Sequence, residues 1–234
     1  MVLSTEPASS TSDLSQAFSD VRNLFTEALK AIPAPDRYRA PYAFICGLCL
    51  WLRALESCRA TVWLLEMRMC GAGASTMRTA LECLFCAGAV WNKPERVKWW
   101  VNKQEVDTHK QTSEIKRSPE YALLNDQQRA AVDRLSAQPR PEETLDAQRA
   151  ASDAGLSWLY THGYRSLGAL GAHASARSLN CHFSDLAGLS VLSYAPDLEP
   201  VDHMLNLMQV CLETGTKMLL DQLSDPSVLQ PIPR

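Results

Sequence analysis

Apolar side chains recur every three or four positions along most of this chain, the spacing of one face of an α-helix. Leu14, Phe18, Val21, Leu24, Phe25 and Leu29 form the first such stripe. Ser12 or Asp13 stands before it as an N-cap, and Pro33 and Pro35 stop it. A longer helix is expected from about Tyr38 to Met69, on the stripe Ile45, Leu48, Leu52, Leu55, Val62 and Leu65. Between Phe44 and Leu52 it is apolar on nearly every face, which predicts the central helix of the fold. Gly71 and Gly73 read as its stop, and Ser75 as the N-cap of the next helix, Thr76 to Trp91. These two helices should pack antiparallel across their short connection, with Leu52 and Leu81 buried between them.

Pro94 suits the first turn of a helix carrying Val97, Trp99, Trp100, Val101 and Val106. Residues 102–120 are charged and read as a solvated helix or loop. Asn125 with Gln128 reads as a capping box for a short helix to Leu135. Pro139 and Pro141 break the chain, and Thr144 to Asp153 is helical again. Leu156, Leu159, Tyr160, Tyr164, Leu167 and Leu170 place a helix in the Ala- and Gly-rich segment Gly155 to Leu179. Pro196 and Pro200 precede a last amphipathic helix, Val201 to Leu223, with the stripe Met204, Leu207, Met208, Cys211, Met218 and Leu219. No alternating pattern of useful length argues for strands. The expectation is an all-α fold, a single antiparallel bundle-like domain of about seven helices. It should occupy residues 13–224, between a disordered arm (1–12) and a flexible tail (225–234).

Composition narrows the class. The apolar fraction of 46% is enough to bury a core, and 23 basic against 26 acidic residues leave a net charge of -3. That balance does not announce a nucleic-acid protein, which usually carries a basic stripe or a high isoelectric point, and it leaves a local basic surface open. Arg53, Glu56 and Arg59 interrupt the most apolar run before it reaches the roughly 20 residues of a bilayer span, so no membrane partner is expected. The first ten residues have neither a basic nor an apolar signal region, which predicts a cytoplasmic protein. The eight cysteines then read as reduced thiols, most of them filling apolar helix faces.

Candidate chemistry is sparse. Cys46-Gly-Leu-Cys49 and Cys83-Leu-Phe-Cys86 have zinc-ligand spacing, but zinc knuckles are turns, and both pairs fall within apolar helices. The reading is therefore packing, with no metal site and no cofactor. Arg78 and Glu82 lie four residues apart on one face of a helix otherwise almost free of charge. Such a pair occupies the helix's wet side or is buried and paired. Further along, Tyr164-Arg165 precede Gly171-Ala172-His173-Ala174-Ser175, where small residues leave room beside His173. Trp99-Trp100 reads as an anchor for its own helix. No phosphate-binding loop, nucleophile elbow or HExxH helix is present.

Two segments carry a resemblance: Met77-Arg78-Thr79-Ala80-Leu81-Glu82, and Tyr160…Tyr164-Arg165-Ser166-Leu167…His173-Ala174-Ser175. Together they resemble a bacterial all-helical domain-of-unknown-function family, family 5677, over about residues 40–210. Gly168 and Ala169 stand where that family usually has a Ser. The family is in turn distantly similar to the HEPN helical ribonucleases of toxin and phage-defence systems. Those carry an Arg and a His on one helix with about four to six residues between them, whereas seven residues separate Arg165 from His173 here. The resemblance implies His173 as general acid or base, Arg78 as a phosphate holder and Glu82 as the group that orients one of them. Tyr164 and Arg165 would serve in binding.

Two functions follow as expectations. One is a binding or interaction protein that forms a homo-oligomer or meets a partner protein. The other is a HEPN-like, metal-independent ribonuclease acting on RNA. The polar residues decide between them: the helix around Tyr164–His173 should pack on the helix around Arg78–Glu82, with Glu82 paired to Arg78 or His173.

Overall fold

A computed structural model describes residues 11–34, 38–172, 183–186, 189–192 and 199–231. Among these the fold is all-α. Its helices are α1 (Thr11–Lys30), α2 (Tyr42–Glu66), α3 (Cys70–Asn92), α4 (Arg96–Arg117), α5 (Asp126–Ser136), α6 (Ala147–Asp153), a composite α7 over 157–172, and α8 (Glu199–Leu223). A 3₁₀ turn, Pro119–Leu123, joins α4 to α5. Among the described residues eight helices stand where about seven were expected, and the charged segment after Trp100 continues α4 as one helix to Arg117.

α2 and α3 form the centre and run antiparallel. The Phe44 and Trp91 rings stack at one end, 6.4 Å apart, and the Thr61 and Thr76 hydroxyls bond at 2.8 Å at the other. Gly47 makes the ring contact feasible: a Cβ there would lie 2.2 Å from the Trp91 indole nitrogen. That nitrogen instead donates to the Phe44 carbonyl at 3.3 Å. α3 is buried nearly all round, through Met77, Ala80, Leu81, Leu84, Phe85 and its small residues.

The remaining helices cover this pair. α8 buries Met204, Leu205, Met208, Cys211, Leu212 and Leu219, and its Gly215 leaves space for the Trp51 ring. α1 lies chiefly on α8, through Leu14, Val21 and Ala28. Ala150 and Ala151 press α6 against α3. The α4–α5 pair is peripheral. Its capping box is formed as the sequence indicates: Asn125 accepts from the Gln128 amide and Gln128 from the Asn125 amide.

Several expectations need correction. Leu29 is exposed and Ala28 takes its place in the core, one residue, or about 100°, around the helix. On α2, Ile45 and Leu52 face outward, Leu52 at 37% exposure, while Leu50, Trp51, Ala54 and Leu55 face α3 and α8. Where every face is apolar, periodicity alone cannot orient a helix. Gly71 and Gly73 do not stop α2; both lie inside α3, as does Ser75. The stop is Arg68, at φ 59°. Its amide donates to the Leu65 carbonyl at 2.9 Å, and that of Met69 to the Leu64 carbonyl at 2.7 Å. This is the Schellman pattern, with Arg where Gly is usual.

Two short antiparallel pairings complete the fold. β1 (Tyr38–Arg39) meets β4 (Gln230–Pro231), and β2 (Phe183–Leu186) meets β3 (Leu189–Leu192) with Phe183 opposite Leu192. Four-residue strands are too short to declare themselves by alternation. Val228 and Leu229, just before β4, pack against the core.

Candidate functional site

α7 lies along the first half of α3 in the opposite direction. It is not a regular α-helix: Ser157–Leu159 and Arg165–Leu167 alternate with π-helical turns at Tyr160–Tyr164 and Gly168–Ala172. Each π turn holds an extra residue, which re-aims the side chains around it. Small residues let the backbones meet. A Cβ on Gly171 would fall 2.4 Å from the Gly71 carbonyl oxygen, and the Ser75 hydroxyl donates to the Gly171 carbonyl at 2.6 Å.

This packing brings Tyr164 onto Arg78 and Glu82. The Arg78 guanidinium donates to the Tyr164 hydroxyl at 2.7 Å, and that hydroxyl donates to the Glu82 carboxylate at 3.1 Å. The same guanidinium lies over the Tyr164 ring, 3.9 Å from its centroid. Gly168 makes room for it: a Cβ there would lie 2.5 Å from Arg78 Nη1. Tyr164 is buried, its ring stacked on Tyr160 at 5.2 Å and edge-on to Phe85 at 5.9 Å. Burial first, and then the Glu82 charge, push its phenol up to about 12, although Arg78 pulls the other way. At neutral pH the phenol is a fixed hydrogen-bond donor, not a base.

Arg78 and Glu82 do not pair directly among the described ion pairs; the Tyr164 hydroxyl stands between them. Of the two partners expected for Glu82, Arg78 reaches it through this hydroxyl. The charges share a helix face, but a phenol from α7 fills the gap. Arg165 is exposed and takes no part in the array. His173 lies outside the described residues, and so does any pairing of it with Glu82. A contact missed in the sequence lies two residues past Tyr164: the Ser166 hydroxyl sits 3.3 Å from His203 Nε2 of α8 and donates to the Gly163 carbonyl at 2.7 Å.

The cysteines divide by burial. Among the described residues Cys46, Cys58, Cys70, Cys86 and Cys211 are buried, Cys83 is half-buried and Cys49 is exposed, and these seven are free thiols. Burial first, then Glu82, pushes Cys83 up to about 11 and Cys86 to about 12. The thiol of Cys58, hydrogen-bonded to Cys211 across α2 and α8, raises Cys211 further, with burial adding to it. Thiols in such surroundings stay protonated and inert. Among the described residues no group of three or more His, Cys, Asp or Glu side chains is placed to hold a metal ion.

The outer face of α2 differs in kind. Tyr42, Ile45, Cys49 and Leu52 form an exposed stripe, Tyr42 at 70% exposure. Among the described residues no helix is long and apolar enough to cross a membrane.

The model of a family of unknown function, DUF5677, matches residues 44–188, more than half of the chain. The chain belongs to this family. The DUF5677 match holds both sides of the polar array, Arg78 and Glu82 on α3 and Tyr164 on α7, and leaves α1 and α8 outside. Neither a curated protein nor a solved structure matches the chain.

Proposed function

We propose that this DUF5677 protein is an interaction protein that pairs with a second copy of itself through the outer face of α2. The observation that carries the reading is the exposed stripe Tyr42, Ile45, Cys49 and Leu52. Contiguous apolar side chains on a surface mark an interaction site more often than isolated ones do. The spacing of three, four and three residues reads the same in both directions. Two antiparallel copies crossing at the middle of the stripe therefore set Tyr42 of one against Leu52 of the other, and Ile45 against Cys49. That is the self-complementarity a two-fold interface requires. Beyond Leu52 the face turns polar with Arg53 and Glu56, which limits the seam to this end of α2. The reading takes the protein to act in the cytoplasm, where its thiols stay reduced. Sedimentation velocity at micromolar concentration tests it. The wild-type chain should run as a dimer, and Ile45→Glu with Leu52→Glu as a monomer of unchanged helicity. A wild-type monomer at these concentrations sinks the proposal.

A second reading has one observation in its favour. Tyr164 ties α7, the helix that leads toward His173, to Arg78 and Glu82, as a HEPN-like metal-independent ribonuclease would need. In that reading His173 moves the proton, Arg78 holds a phosphate and Glu82 orients one of them. The test is cleavage of single-stranded RNA in the presence of a chelator. Cleavage lost in both His173→Ala and Arg78→Ala supports it; no cleavage by the wild-type chain removes it.

A further inference from the structure

A cavity of about 340 Å³ opens between α1, the C-terminal half of α2, and α8. Its floor is apolar: Val21, Cys58, Val62 and Met208 are all buried side chains of the core. Two aromatic rings flank it, the half-buried Phe25 of α1 and Trp63 of α2, the latter 77% exposed. Its rim is charged. Arg22 of α1 and Glu66 of α2 form an ion pair, and Arg59 stands one turn before Trp63.

These features select a ligand class. A volume at the lower end of small-molecule pockets admits one aromatic ring or a medium acyl chain, not a nucleotide. The floor offers no charged group, so the buried end of the ligand is apolar. At the rim Glu66 is neutralised by Arg22, while among the described residues no carboxylate pairs with Arg59. The net rim charge is therefore positive, and a guanidinium in this position takes a carboxylate with two parallel hydrogen bonds. Trp63, an exposed indole beside an apolar floor, supplies a ring face for an aromatic ligand.

We propose that this cavity is a binding site for a small amphipathic monoanion, an aromatic or medium-chain carboxylate, with its apolar end on Val62 and Met208 and its carboxylate on Arg59. The site does not depend on the self-pairing seam, which occupies the other end of α2. Two of its walls, α1 and α8, lie outside residues 44–188, so it belongs to this chain rather than to the part matched by the family.

Ligand-observed NMR and calorimetry on the full chain test the proposal, with benzoate, indole-3-acetate and octanoate as probes. Their uncharged amides serve as controls. At least one acid should bind, and should do so about tenfold more tightly than its amide, the size of one charge-assisted contact. Arg59→Gln, at an exposed position, should bring acid and amide level. Val62→Phe should fill the floor and abolish binding of both, and Trp63→Ala, which leaves the core untouched, should weaken both. No binding of any acid at millimolar concentration overturns the proposal. So does an acid that binds no better than its amide, or binding that survives both Arg59→Gln and Trp63→Ala.

Discussion

A phenolic hydroxyl donates one hydrogen bond and accepts another, and Tyr164 uses both, taking one from Arg78 and giving one to Glu82. Its removal leaves the two charges facing a gap. Tyr164→Phe keeps the ring stack and costs about 1–3 kcal/mol of stability, the penalty of leaving partly buried polar groups unpaired. Urea unfolding measures it, and an unchanged midpoint would show the array to be incidental. The pH dependence has a definite sign. The folded phenol is raised from 10.0 to about 12, so the native state favours the neutral form. Its contribution is complete below pH 10 and is lost as pH climbs through 12, a loss that Tyr164→Phe should remove. Part of this array was legible in the sequence. Arg78 and Glu82 stand out as charges on an apolar helix, and Tyr164 as part of a motif. The bridging hydroxyl was not legible, because it depends on π turns in α7 and on Gly168 yielding its side-chain space to Arg78. Neither leaves a period in the sequence.

At the scale of elements, the helices declare themselves and their orientations do not. Leu81 lies in the core as its stripe indicates, but Leu52, at the end of a stretch apolar on nearly every face, points to solvent. The turn between α2 and α3 was hidden for another reason. The sequence offers Gly71 and Gly73 as stops, yet the chain turns at Arg68, before either of them. The glycines are used for close approach instead: Gly73 lies against Leu65, and the Gly71 carbonyl against Gly171. Arg68 holds a left-handed φ of 59°, which costs a side-chain-bearing residue roughly 1–2 kcal/mol. Arg68→Gly relieves that strain but adds freedom to the unfolded chain. The net expectation is a gain of up to about 1 kcal/mol, read as a higher urea midpoint at unchanged slope. Arg68 is exposed, so no lost packing obscures the result. A lower midpoint would mean that the Arg68 side chain contributes more than its backbone costs.

Over the whole molecule, the apolar centre is surrounded by elements that polar ties fix in place, and Asp153 ties α4 and α6 to the end of α3. Near the end of α6, its carboxylate accepts from Lys93, just past α3, at 2.6 Å and from Arg96, at the start of α4, also at 2.6 Å. Its backbone carbonyl accepts from Asn92 at 3.2 Å. Arg96 and Arg149 both lie over the Trp99 ring, with centroid distances of 3.5 and 4.1 Å, so Arg96, one of the two cations on the carboxylate, is itself held. Burial alone would raise the Asp153 pKa. The hydrogen bonds to Lys93 and Arg96 outweigh it and hold the carboxyl below its ordinary 3.8. A depressed pKa stabilises the fold above the unfolded value and ceases to do so as pH falls through the folded one. The acid limb of stability, from about pH 3.8 downward, should therefore carry the loss of this tie. Asp153→Asn should cost about 2–4 kcal/mol at neutral pH, between the values for exposed and fully buried ion pairs. It should also flatten the acid limb, since the amide has no proton to gain. Urea midpoints at neutral pH and in the acid range measure both effects. Equal losses at the two pH values would show that charge at Asp153 is not what joins α3, α4 and α6.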